Sequence, residues 1–367
     1  MPNISQLIDN RELLDFSQNL SPVRPYTGAG LFPDRKTQYI EQEYTRLCRN
    51  GNLPVAASVH AFDTEARIGS RIPFETVTTE QLLIKEKINL TESVRRLTRG
   101  LSMNVDSLRE YVFDDIARMA ERVITRVEIA KMDVVSKGKF TITENGLDIP
   151  IDYDIPAENF VNDLWDEDAD ILGDVRTWRA LAIANGSTPT VALTSEKVVT
   201  TIMNNANVQK AIFGTSGTGV LPSMEQLNAL FMSQFGISIR TDEERYGEIV
   251  TDGGKVKVQQ KRFFPEGKFV LLSTGANGTL GTGLWGVTPE EEEQGGAFDT
   301  KRQQQFVTVT TWDTPDPVTT WTKASGLFMP VMPNPYGHVI ADVTTATESS
   351  EGSESSEGSE GSEGSEG

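Results

Sequence analysis

Apolar side chains at Leu108, Val112, Ile116, Met119, Val123, Val127, Ala130 and Val134 recur every three or four residues without interruption. That spacing lays them along one stripe of an α-helix and predicts a single helix over 107–137. About 30 residues at a rise of about 1.5 Å give a length of roughly 45 Å. Ser107 with Glu110 three residues on has the form of a capping box, and Gly138 stands where a left-handed C-terminal residue is favoured. Phe113, Ala120 and Ile124 widen the stripe beyond the narrow seam of a coiled coil. Val112, Ile116, Met119, Val123 and Val127 are therefore expected to face a core. Glu110, Asp114, Arg118, Glu121 and Glu128 fall on the other side, and are expected to face water or a neighbouring chain.

The pattern before this helix is less regular. Ile4, Leu7, Ile8 and Leu14 fit a short amphipathic helix, but Pro22, Pro25, Gly28, Gly30 and Pro33 then break the chain repeatedly, which predicts an extended arm. From Val59 to Leu97 the pattern predicts a long hairpin. One limb carries Ile68, Ile72, Phe74 and Val77, the other Leu82, Ile84, Ile88 and Leu90, with the polar stretch Glu75–Glu80 between them. Such a hairpin is poorly stable alone and is expected to lie on a neighbour.

After the helix, Phe140–Thr143 and Leu147–Ile151 flank Asn145-Gly146, a hairpin turn. A helix with Ile171, Val175, Trp178 and Ala182 ends near Gly186. A buried strand at Thr190–Leu193 leads to a helix from Ser195, and Ser223 with Gln226 caps another that Gly236 closes. Ile237–Ile239 reads as a strand, Asp252-Gly253 as a hairpin turn, and Phe269–Leu272 as a central strand. This alternation is an α/β unit. Phe306–Trp312 and Val318–Lys323 flank a proline-rich turn, and Val339–Ala341 is a last strand. Beyond Thr344 the chain is Thr, Ser, Glu and Gly in a near three-residue repeat with no apolar residue after Ala346, which predicts a disordered acidic tail.

Composition narrows the function by exclusion. The net charge is −19, and the tail glutamates account for only part of it. An acidic body argues against binding nucleic acid by counterion release and against an anionic membrane surface. The lone Cys48 rules out an internal disulfide, no apolar run approaches a membrane span, and the N-terminus does not read as a signal peptide. The two histidines, His60 and His338, sit in strand-like contexts and read as structural polar residues. Gly214–Gly219 lacks the lysine of a phosphate loop and reads as a mobile loop, and Glu290–Glu293 reads as a solvated loop without metal-ligand spacing. No catalytic, cofactor or metal set emerges.

The order of these elements resembles the Hong Kong 97-type phage capsid fold, and more closely the lambda-like family of tailed-bacteriophage major capsid proteins. The likeness runs from about residue 5 to 343. It rests on Arg67–Arg71 and Leu90–Leu97, on Val135–Ile142, on Phe263–Leu272, and on Leu327–Pro330 through Pro333-Asn334-Pro335 to Val343. The resemblance implies an α+β fold with an N-terminal arm over 1–50 and an extended hairpin loop over 51–100. It implies a peripheral domain over 101–170 carrying the spine helix 107–137, and an axial α/β domain over 171–295. Return strands of the peripheral domain follow over 296–325, the end of the axial domain over 326–343, and the tail over 344–367.

It also implies a non-catalytic head protein that self-assembles, as pentamers and hexamers, into an icosahedral shell around phage DNA. No cofactor, membrane or sequence-specific nucleic acid is implied. Partners would be other copies, a scaffolding protein, a portal, a maturation protease and a decoration protein, with assembly in the host cytoplasm and residence in the virion. Arg67, Arg71, Lys85, Lys87, Arg95 and Arg96 are the expected inter-subunit contacts. Some members of the wider fold cross-link a lysine to an asparagine; Lys85 and Lys87 lie in that region, but the lambda-type branch is not cross-linked. Two other readings are an encapsulin-like compartment shell of the same fold and a soluble α/β enzyme. The arm and hairpin favour a viral shell, and the poor chemistry disfavours an enzyme.

Overall fold

The computed structural model describes residues 25–38, 41–47, 56, 74–90, 105–144, 147–215, 219–252, 255–293, 306–315 and 318–344. Its first elements, α1 (Thr27–Leu31) and β1 (Asp34–Lys36), fall in the stretch expected to be an extended arm. They are folded and docked instead, because Leu31 and Phe32 are apolar anchors that reach the main core. β2 (Glu41–Leu47) and β3 (Phe74–Glu80) pair antiparallel as a separate ribbon. β4 (Leu82–Leu90) follows after one residue. The expected hairpin is thus rearranged. Its limbs do not pair with each other, and the polar, strand-compatible stretch Glu75–Glu80 pairs with β2 instead. A single residue, Gln81, is too short to form a hairpin turn, and the apolar side of β4 finds a better partner in the core through Ile84 and Ile88.

The spine helix, α2, runs from Val105 to Lys137, about 50 Å. It starts two residues before the predicted Ser107. Met119, Val123, Val127, Ala130 and Val134 are buried, none more than 2% exposed. Val112 and Ile116 belong to the same helix, but their side chains lie outside the described residues. On the other side Arg118 is exposed and Glu121 half-buried. Glu128, expected to be wet, is instead 3% exposed. α1 covers it: the Gly28 N–H donates to Glu128 Oε1 at 2.5 Å. A Cβ on Gly28 would stand 2.6 Å from that oxygen, so a larger residue would displace the carboxylate. Lys131 is buried beside it and donates to Asp34 Oδ1 at 2.7 Å.

β5 (Lys139–Glu144) and β6 (Leu147–Asp152) form the predicted hairpin, with Asn145-Gly146 outside the described residues. Gly138 takes the left-handed conformation (φ 67°) that ends the helix. β7 (Phe160–Asn162), α3 (Ile171–Ala184), β8 (Val191–Thr194), α4 (Glu196–Asn204), α5 (Ala206–Phe213), α6 (Met224–Phe235) and β9 (Ser238–Thr241) follow. Ser223 and Gln226 make the full capping box on α6, and Gly236 closes it with φ 69°. β10 (Arg245–Asp252) and β11 (Lys255–Arg262) form a ribbon, and β12 (Lys268–Leu272) returns to the centre of a sheet ordered β7-β16-β12-β8-β9. β13 (Thr282–Trp285), α7 (Pro289–Glu293), β14 (Thr308–Pro315), β15 (Val318–Val331) and β16 (Val339–Asp342) complete the chain. β15 is the backbone of the second sheet, ordered β1-β13-β15-β14 with β4 also on β15. It runs unbroken past position 326, so the return to the first sheet begins after Val331.

The two sheets share cores in an alternating way. Val270 and Leu272 of β12 join the cluster that holds the spine helix, while Phe269 and Leu271 join the cluster around Trp165, Trp178 and Phe231. A strand buried on both faces must be apolar at every position, which is why Phe269–Leu272 is a continuous run. The C-terminal end of the spine helix is tied to this sheet. His338 Nε2–H donates to Val135 O at 2.7 Å, and Lys268 Nζ donates to Ser136 O at 2.8 Å. Both carbonyls lie in the last turn, where no helical N–H reaches them, so side chains of the neighbouring β12 and the approach to β16 satisfy them. His60, Cys48, the Ile4–Leu14 segment and the tail beyond Thr344 lie outside the described residues.

Val123 touches the space left by Gly326, where an added Cβ would meet its Cγ1 at 3.0 Å. Val123→Asp should leave an unpaired carboxylate in that contact and cost on the order of 3–5 kcal/mol, enough to abolish cooperative unfolding followed by circular dichroism. Arg118→Ala should change the urea midpoint by less than about 1 kcal/mol equivalent. A folded Val123→Asp variant would show that the stripe does not meet a core.

Burial pushes the His338 imidazole down to about 4, and its hydrogen bond to Val135 offsets this only in part. The folded state therefore holds His338 neutral while the unfolded chain takes up a proton. Its contribution is complete above the unfolded pKa of 6.5 and is lost as pH falls toward 4. Between pH 7 and 4.5 the chain should lose roughly 2–3 kcal/mol more than the His338→Gln variant, compared by urea unfolding. Equal losses in both would contradict the buried neutral imidazole.

Candidate functional site

β4 alternates cleanly. Leu82 is buried and Ile84, Glu86 and Ile88 are half-buried toward the spine helix, while Leu83, Lys85, Lys87 and Asn89 point outward. The register sets Lys85 opposite Ser325, Lys87 opposite Lys323 and Asn89 opposite Trp321 on β15. On the far side of β15, Thr310 and Trp312 of β14 stand opposite Lys323 and Trp321. Paired residues of an antiparallel sheet share a face, so three lysines and two tryptophans gather on one surface. Trp312 and Trp321 stack with centroids 6.4 Å apart. Lys87 Nζ lies 4.8 Å from the Trp321 ring and Lys323 Nζ 5.9 Å from Trp312, both within cation–π range.

α7 closes one end of this surface. Glu290 Oε1 receives Lys85 Nζ at 2.9 Å and Lys323 Nζ at 2.6 Å, and Oε2 accepts from Ser325 Oγ at 3.0 Å. Burial alone would raise the Glu290 carboxyl; the hydrogen bonds from Lys323, Lys85 and Ser325 overcome it and hold the group down at about 2. Next to it Glu291 pairs with the buried Lys36 at 2.8 Å, tying β1 to the same short helix. The run Glu290–Glu293 is therefore helical, and its first carboxylate is buried, where a solvated loop was expected. Three cations that need neutralising draw it inward.

This network positions α7 and the two lysines. A carboxylate that stays ionised to about pH 2 donates no proton near neutrality. Glu128 shows the opposite balance: burial raises its carboxyl to about 7, with the Gly28 N–H and Lys131 opposing, yet it is sealed behind α1. His338 is fully buried. A cleft of about 360 Å³ between α1 and the β8–β9 edge is lined by residues such as Tyr26, Leu31, Leu193, Arg240 and Asn277, with no carboxylate, histidine or cysteine. Among the described residues no group of three or more His, Cys, Asp or Glu side chains is placed to hold a metal ion, and no helix is long and apolar enough to cross a membrane.

Of the six expected inter-subunit cations, Lys85 meets Glu290 and Lys87 meets Trp321 within the same chain. Both also stay exposed on the outer face of the sheet. Arg67, Arg71, Arg95 and Arg96 lie outside the described residues. Glu290, Glu128 and Lys131 were not legible as partners in the sequence, since each is matched by a residue about 100 or more positions away, apart from Lys323.

Glu290→Gln keeps the shape but leaves Lys85 and Lys323 facing each other. It should cost about 1–3 kcal/mol in urea unfolding at pH 7. The depressed carboxyl contributes stability above about pH 4.5 that disappears as pH falls toward 2, so the gap between the two proteins should narrow in acid. An unchanged midpoint at pH 7 would show the network to be idle.

The model of the family phage major capsid protein E matches residues 9–343. The fold is similar to that of a protein described as a prophage capsid protein from E. coli CFT073, at 14% identity and a TM-score of 0.58, covering 92% of this chain and 99% of that one. It is also similar to a phage-related protein from Bordetella bronchiseptica RB50, at 12% identity and 0.54, covering 92% and 98%. The capsid of bacteriophage PhiM1 is similar at 8% identity and 0.50, covering 88% of each chain. No curated protein matches the sequence. The architecture is of the Hong Kong 97 type, and with the family match spanning nearly the whole folded length, the chain belongs to the phage major capsid protein E family, the structural subunits of the viral shell.

Proposed function

We propose that the subunit acts without catalysis, closing as pentamers and hexamers into an icosahedral head around phage DNA. The observation that carries this reading is the β2–β3 ribbon. Glu41–Leu47 and Phe74–Glu80 pair only with each other among the described residues. A two-stranded ribbon is marginal in water, and its stability in a shell would come from a second copy. Arg67 and Arg71 belong to the segment 48–73 that joins the two strands in sequence. On this reading they meet acidic surface of a neighbour, as do Arg95 and Arg96 in the segment between β4 and the spine helix. Lys85 and Lys87, exposed beside Trp321 and Glu290, join them at the contact. A scaffolding protein, a portal, a maturation protease and a decoration protein are the further partners, and assembly takes place in the host cytoplasm.

Expressed alone or with its scaffolding protein, the chain should form closed particles in negative-stain electron micrographs. Arg67→Glu with Arg71→Glu should abolish particles while leaving the circular dichroism spectrum of the subunit unchanged. Persistent monomer for the unmodified chain under all conditions would overturn the reading. Normal particle yield from the double variant would remove the ribbon from the contact.

A further inference from the structure

β10 and β11 form a second ribbon that pairs with no other strand among the described residues. Only its base is anchored: Tyr246 packs on Phe263 with centroids 5.0 Å apart, and Phe263 meets Tyr26 at 5.7 Å. Further out, Ile249 and Val258 are direct cross-strand partners, 55% and 73% exposed. Gly247 lies on the same face and leaves the Val258 methyls uncovered. Exposed β-branched pairs on a bare ribbon are not self-sufficient. The ribbon is also basic. Between Arg245 and Arg262 there are five lysines and arginines against two carboxylates, in a chain of net charge −19.

The complementary surface lies on the far side of the same domain. The sheet order β7-β16-β12-β8-β9 places β9, from which the ribbon grows, at one edge and β7 at the other. At the β7 edge Phe160 is 46% and Leu164 49% exposed. Between Ala157 and Val175 there are seven carboxylates and no lysine or arginine. The crowding is felt locally: burial raises the Asp174 carboxyl, and Asp163 and Asp170 raise it further against the Trp165 hydrogen bond. Four strand spacings, about 19 Å, separate the two edges. One subunit cannot bring them together, but two subunits side by side can.

We propose that the β10–β11 ribbon of one copy docks on the β7 edge of the next. Ile249 and Val258 cover Phe160 and Leu164, and Arg245, on the same face as Ile249, meets Asp166 and Asp168. The contact uses different surfaces on the two copies, so its repetition generates a ring when the rotation closes. It rests on the shell reading above and adds to it which surfaces meet.

Two measurements test it on the full chain. In a Cys48→Ser background, Val258→Cys with Leu164→Cys should give, on oxidation of assembled particles, a ladder of covalent multimers on non-reducing gels. Separately, Asp166→Lys with Asp168→Lys should lower particle yield at least about tenfold, and adding Arg245→Glu should restore part of it. Leu164, Asp166, Asp168, Arg245 and Val258 are exposed, so their substitution should not change the subunit spectrum. Particles that form without a ladder and ignore both charge reversals would overturn this contact and leave the shell reading standing. Failure of the unmodified chain to assemble even with scaffold would overturn both.

Discussion

The fold depends on one constraint: the spine helix is buried on more than one side. Its apolar stripe rests against β15 and Trp285, and a second flank is covered by α1 and β1. A helix of about 50 Å presents more surface than one sheet can cover, so distant parts of the chain converge on it. β4, β15 and residues 25–36 are brought together by this demand. Its C-terminal carbonyls then reach the axial sheet through His338 and Lys268, which makes the helix the mechanical link between the two sheets.

Electrostatics settles the places where that convergence buries charge. Glu128 and Glu290 are both buried carboxylates, yet one is raised to about 7 and the other held at about 2. The difference is the number of close cationic donors. Glu290 has two lysines within 3 Å, whereas Glu128 has a backbone N–H and only the longer-range field of Lys131, which is itself engaged with Asp34. Desolvation wins where donors are few and loses where they are many. Both fix where an N-terminal or surface element sits.

Three two-stranded ribbons, β2–β3, β5–β6 and β10–β11, have no third strand among the described residues, and β5–β6 is anchored in the main core through Phe140 and Ile151. A protein that lives alone tends to cover or shorten such edges. In a subunit of a shell they are natural handles, because every neighbour is another copy and each incomplete edge can be met by a surface of the same chain.

Much of this was legible in the residues. The spine helix, the capping box at Ser223, the left-handed ends at Gly138 and Gly236, and the central strand Phe269–Leu272 all follow from local rules: spacing, capping geometry and apolar runs. The pairing of β4 was not legible, because alternation shows that a strand has an apolar side and not which strand it joins. Glu128 looked like a wet position, because helical periodicity places it away from the stripe and carries no information about α1, whose residue Gly28 is 100 positions earlier. Glu290 looked like solvent-exposed charge for the same reason, its partners Lys85 and Lys323 being set by the sheet register. The sequence by itself determined the spine helix, the capped helices and the central strand, since those depend on neighbours along the chain. Only the tertiary structure decided which charges are buried and which strands are neighbours, since both depend on residues that meet only when the chain closes on itself.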